Sequence, residues 1–124
     1  MIINGDLKLN ETNITSTGKL KEVNGYLDLS FCENLKSIEN LQKVNGLFLN
    51  LNFCYSLESL GNLKFINGWL GIKKTNLKDL GKLEKVGGYI YIDVGSDISK
   101  EYIKKHKPKF LNQCFWNKET PSYD

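Results

Sequence analysis

At 124 residues, with 17 lysines, no arginine, 14 acidic residues and a net charge of +3, the chain is one domain in size and only weakly basic. That charge is too small to argue for nucleic acid by itself, and without arginine there is no bidentate fork for phosphate, carboxylate or guanine. No apolar run is long enough to cross a bilayer, and the opening Met1 to Asp6 lacks the basic and apolar regions of a secretory leader. A cytoplasmic protein without membrane contact is expected.

In chain order, one phrase recurs: Ile3-Asn4-Gly5, Val23-Asn24-Gly25, Val44-Asn45-Gly46, Ile66-Asn67-Gly68 and Val86-Gly87-Gly88, with 20, 21, 22 and 20 residues between the glycines. A fixed period of this size marks stacked units, none of which can bury its own apolar face. Behind each glycine comes a period-two stretch, as in Leu7 and Leu9, Leu27 and Leu29, Leu49 and Leu51, Leu70 and Ile72, Ile90 and Ile92. Alternation predicts a half-buried strand.

A run with apolar residues three apart follows: Ile14 to Val23, Leu35 to Val44, Leu57 to Ile66 and Leu77 to Val86. Steps of three over so short a run suit an extended or 3₁₀-like path with every third side chain inward, rather than an amphipathic helix. The variation in unit length is placed in one loop, just after the strand. The Asn-Gly pairs read as tight corners that accept positive φ, and their asparagines can stack into a hydrogen-bonded ladder.

The periodicity predicts a mostly β solenoid of about five coils of 20–22 residues over 1–95, with a C-terminal capping helix and tail over 96–124. The helix is expected from Ser96 to Lys107, capped by Asp97 or Ser99 and stopped by Pro108, with the apolar segment after it folding over the last coil. Glu119 to Asp124 are expected to be loose. Met1 to Ile3 would close the other end themselves, leaving a monomer or a weak dimer through the N-terminal coil.

Taken together, the phrase [VI]-N-G-x-L-x-L followed by L-x-x-L-x-x-L-x-x-V-N-G resembles the leucine-rich-repeat class, in particular its receptor L-domain-like members, over roughly residues 2 to 95. The resemblance implies right-handed, β-helical coils with one main parallel sheet. Similar short proteins occur among phage and bacterial sequences. Repeats of this kind bind many unrelated partners, so the resemblance carries architecture and little function.

The strand alternation defines three outward rows. The first is Asp6, Tyr26, Phe48, Trp69 and Tyr89; the second is Lys8, Asp28, Asn50, Gly71 and Tyr91; the third is Asn10, Ser30, Asn52, Lys73 and Asp93. Two readings of the aromatic row are open. It can anchor a partner, with Tyr26, Phe48, Trp69, Tyr89 and Tyr91 as anchors and Asp28, Asn50 and Lys73 as a polar rim. It can equally serve only to stack one strand on the next.

Three classes of function follow. The first is a non-catalytic protein-binding module. The many lysines and 14 asparagines fit a low-GC coding source, and with small size they suggest a phage or mobile-element inhibitor of a host defence system, an anti-CRISPR-like protein with a host protein or ribonucleoprotein effector as target. The second is single-stranded RNA or ribonucleoprotein binding by the aromatic row and lysines. Lys100, Lys104, Lys105 and Lys107 are possible nucleic-acid contacts there, against the alternative of a solvated helix face.

An enzyme is the third and is not expected. His106 stands alone, Cys32 and Cys54 fall in repeat loops, and no phosphate-binding loop, metal-ligand spacing or cofactor motif is present. Cys32 and Cys54 occupy one repeat position and are expected to be reduced, buried thiols.

Overall fold

The residues on either side of each Asn-Gly corner fall into two separate parallel sheets in the computed structural model, which describes residues 1–117. The expectation for Glu119 to Asp124 lies outside the described residues. The first sheet holds β1 (Ile2–Ile3), β3 (Glu22–Val23), β5 (Lys43–Val44), β7 (Phe65–Ile66) and β9 (Lys85–Val86), in that order. The second runs β2 (Leu7–Lys8), β4 (Leu27–Asp28), β6 (Phe48–Asn50), β8 (Trp69–Gly71), β10 (Ile90–Asp93) and β11 (Cys114–Asn117).

Each strand pairs with its equivalent one repeat away. Ile3, Val23, Val44, Ile66 and Val86 are in register, as are Leu7, Leu27, Leu49, Leu70 and Ile90. The three-step runs carry no α-helix. Their turns close by i→i+3 hydrogen bonds, such as Leu41 N to Ile38 O at 3.0 Å and Leu63 N to Leu60 O at 3.1 Å. Each such turn aims the third side chain inward, so Leu35, Leu41, Leu57, Leu60, Leu63, Leu80 and Leu83 are fully buried. They form one core with the inward strand residues such as Leu27, Leu49 and Leu70, and burial at about 25 cal/mol per Å² of apolar surface removed from water stabilises the stack.

Beyond the first, the corners differ from their expected chemistry. Gly25, Gly46 and Gly68 have ordinary negative-side backbone angles; what demands glycine is crowding, since a Cβ on Gly46 would lie 2.0 Å from the Gly25 carbonyl carbon. The asparagine ladder forms across the first three corners: Asn24 Nδ2 donates to Asn4 Oδ1 at 2.8 Å and Asn45 Nδ2 to Asn24 Oδ1 at 2.6 Å. Of the corner glycines only Gly5 has positive φ, at 134°; the other positive φ values fall on Gly18, Gly61 and Gly81 within the three-step runs, and on Glu11, Phe31, Phe53 and Lys74, each at the end of an outward row where the chain leaves the strand.

Length variation also occupies two places rather than one. In the second and third repeats one residue is added after the positive-φ position; a further one, Leu47, is pushed out of the corner before β6 and is 75% exposed. Leu47 O still accepts a bond from Trp69 N at 3.1 Å, so the extra residue does not break the pairing.

Beyond Asp93 the helix is shorter than expected. Ser96 Oγ accepts from Ile98 N at 3.0 Å, forming a separate turn, and α1 spans Lys100–His106 with Ser99 as its N-cap. A 3₁₀ turn, Pro108–Gln113, leads into β11, which adds to the second sheet parallel to β10 instead of lying across it. The terminal segment supplies side-chain partners to the end of the first sheet: Gln113 Nε2 donates to Val86 O and Gly88 O at 2.5 and 2.8 Å, and Lys107 Nζ to Leu83 O at 2.9 Å. Those carbonyls would otherwise be free on an edge.

Candidate functional site

The outer face of the second sheet collects the aromatic side chains. Strand pairing places residues of one row about 4.8 Å apart, a spacing close to that of stacked rings. Tyr26 stacks on Phe48 with ring centroids 4.6 Å apart, and Phe48 on Trp69 at 4.7 Å. The rings therefore cover one another's faces and leave edges to solvent, so all three are half-buried.

Past Trp69 the row changes course. Gly71 has no side chain because Asn52 lies over it, 2.8 Å from where a Cβ would stand. Tyr91 fills the gap from the second row and meets Trp69 edge-on at 5.7 Å. Phe115, brought in by β11, then packs edge-on against Tyr89 at 4.7 Å. The result is a continuous ridge from Tyr26 to Phe115, with Tyr89 and Phe115 about half exposed at 51% and 45%.

The polar rim residues are largely occupied in holding the turn that follows each strand. Asp28 Oδ1 accepts from Ser30 N at 3.0 Å and Ser30 Oγ at 2.7 Å, and Asn50 Oδ1 from Asn52 N at 3.0 Å. Lys73 is buried at 7% exposure, with its ammonium 5.7 Å from the Tyr91 ring centre. It is part of the ridge's flank rather than a free charge at its border.

A second, shorter aromatic pair borders the same face. Phe31 and Phe53, both at positive φ, stack at 4.4 Å, and Tyr55 meets Phe53 edge-on at 6.1 Å. Sequence reading passed over this pair because it lies outside the strand alternation. The signal was available: Glu11, Phe31, Phe53 and Lys74 each stand four residues after the first inward residue of the strand.

The next position down the stack is Thr12, Cys32, Cys54 and Thr75. In the short loops, threonine bonds its own repeat's carbonyl, Thr12 Oγ1 to Leu9 O at 2.8 Å and Thr75 Oγ1 to Ile72 O at 3.0 Å. In the longer loops, a thiol reaches the preceding repeat instead, Cys32 Sγ to Leu9 O and Cys54 Sγ to Leu29 O, both at 3.1 Å. Both cysteines are free and buried. Burial pushes the Cys54 thiol up to about 12 and the Cys114 thiol up to about 11, which disfavours the nucleophilic thiolate.

Of the tail lysines, Lys100, Lys104 and Lys105 are exposed on α1, whereas Lys107 is turned inward to Leu83 O. His106 lies against Tyr102, ring centres 4.8 Å apart. Among the described residues no group of three or more His, Cys, Asp or Glu side chains could hold a metal ion, and no helix is long and apolar enough to cross a membrane. No protein-family model matches the chain, and neither a curated protein nor a solved structure matches it.

Proposed function

We propose that the chain is a leucine-rich-repeat-like solenoid, with right-handed coils of 20–22 residues, that binds a protein partner through the aromatic ridge of its second sheet and does no chemistry of its own. The repeat-by-repeat register in both sheets supports the architecture. The observation that carries the function is the ridge itself: stacking alone would be satisfied by Tyr26, Phe48 and Trp69, yet the rings continue across the Gly71 gap to a half-exposed Tyr89 and Phe115. A contiguous exposed aromatic patch in a small protein marks an interaction surface. The protected thiol of Cys54 and the isolated His106 support a role without catalysis. Small size and a composition that fits a low-GC source suit a phage or mobile-element inhibitor, with a host defence effector as the target.

The test is affinity capture of the tagged protein from lysate of its source, with and without RNase, beside Tyr89→Glu and Phe48→Ala/Trp69→Ala variants. One stoichiometric protein retained through RNase and lost with Tyr89→Glu, at an unchanged melting temperature, is the expected result. Equal capture by all variants would refute the ridge as the binding surface. Loss of the partner on RNase treatment alone would move the reading to a nucleic-acid contact.

A further inference from the structure

The whole-chain charge of +3 conceals an uneven distribution. On the first sheet, Val23, Val44, Ile66 and Val86 point inward, so the residues before them point outward: Glu22, Lys43, Phe65 and Lys85 stand in register across β3, β5, β7 and β9. One residue further back, Lys21 and Lys64 are exposed, and Lys19 stands beside them. With Lys82, which holds the Lys19 position in the fourth repeat, six exposed lysines thus share this face with only Glu22 and Glu84. Among the described residues the one ion pair is Lys78 with Asp97, so none of these six lysines is held in one there.

The face also has relief. Phe65 lies in register between Lys43 and Lys85 and is 39% exposed. Two shallow depressions, of about 290 and 340 Å³, meet at Phe65 and Lys43; Asn45 and Asn67 line one, Gln42 and Lys64 the other. We infer that this lysine face of the first sheet binds single-stranded nucleic acid, with Lys21, Lys43, Lys64 and Lys85 on the phosphates and Phe65 as a stacking platform for a base. Each of four successive rungs, about 4.8 Å apart, offers a lysine or the ring, which suits a linear polyanion running along the stack. A flat ring between point charges accepts an unpaired base and has no use in a duplex. Gln42 and Asn67 line the two depressions that meet at Phe65 and carry amides able to bond a base edge.

This surface is separate from the aromatic ridge, so the two readings stand or fall independently. The probe is a short fluorescein-labelled single-stranded RNA of mixed sequence, followed by anisotropy with the intact protein, beside its DNA counterpart, a duplex and a polyglutamate peptide. Neutralising about four phosphates gives a slope near −2.8 in log affinity against log salt, or ~50-fold weaker binding between ~50 and ~200 mM salt. Lys43→Gln/Lys64→Gln/Lys85→Gln should flatten that slope to about −0.7 and abolish measurable binding at the higher salt, with an unchanged melting temperature. Phe65→Ala should weaken binding with the slope retained, and Tyr89→Glu should leave it as in the wild type. Absence of binding at low salt, binding unaffected in the triple variant, or equal binding of duplex or polyglutamate would each overturn the inference.

Discussion

Replacing Gly46 by alanine tests the corner geometry directly. The added Cβ would lie 2.0 Å from Gly25 C and 2.2 Å from Tyr26 N, both backbone atoms, where ordinary contact begins at 3.4 Å. The two repeats would have to separate locally by more than 1 Å, because no side chain is there to swing aside. The nearest bonds across that gap are Asn45 N to Val23 O at 2.9 Å and Asn45 Nδ2 to Asn24 Oδ1 at 2.6 Å. Overpacking costs about 1–3 kcal/mol and each stretched hydrogen bond about 1 kcal/mol, so a loss of ~3–5 kcal/mol is expected. For a chain this size that is a fall in melting temperature of roughly 10–20 °C. Circular dichroism melting and urea titration measure it. Gly95→Ala is the control, since a Cβ there meets nothing within 4 Å and no positive φ is involved. A Gly46→Ala protein melting within a few degrees of wild type would refute the crowded-corner account.

Two further outcomes follow from single buried atoms. Thr17 stands where later repeats place Ile38, Leu60 and Leu80, and its Oγ1 is buried without a hydrogen-bond partner; Thr17→Val should gain about 1 kcal/mol in urea titration, and a loss of stability would contradict its unsatisfied state. Because burial raises the Cys54 thiol from 9.0 to about 12, the unfolded chain releases this proton first as pH rises. Stability is then full below pH 9 and falls above it, by about 1.4 kcal/mol at pH 10 from this group. Cys54→Val should lose correspondingly less between pH 8 and pH 10; an identical fall in both proteins would show that the thiol is not shielded.

The inward positions were legible from sequence because leucine and valine recur at steps of two and three, and the structure buries those residues, only partly in the first repeat at Ile3, Leu7, Leu9 and Ile14. The reason for the glycines was not, since spacing along a chain says nothing about how closely one repeat approaches the next. Glycine's tolerance of positive φ is used at the first corner, Gly5, and inside the three-step runs at Gly18, Gly61 and Gly81, while the strained non-glycine angles fell on residues such as Phe31 and Phe53, whose type gives no warning. The strand Cys114–Asn117 was hidden because it follows a helix and lacks both the Asn-Gly corner and the repeat interval. At the ridge, Tyr26, Phe48 and Trp69 were readable from alternation alone. Phe115 and the burial of Lys73 depend on β11 and on the empty Gly71 position. The lysine face escaped notice because its strands are two residues long, too short for an outward pattern to stand out, and net charge averages over both faces.

The three-step runs have the same length in every repeat, while residues are gained at only two points, the corner holding Leu47 and the loop beyond Phe31 or Phe53. In chain order these points lie immediately before and after the outward rows of the second sheet. Insertions there leave the leucine column untouched and alter only what frames the ridge. The fold therefore has two seams along which a contact surface can diversify under selection, or be lengthened by grafting, while the stacking rule that holds the repeats together stays constant.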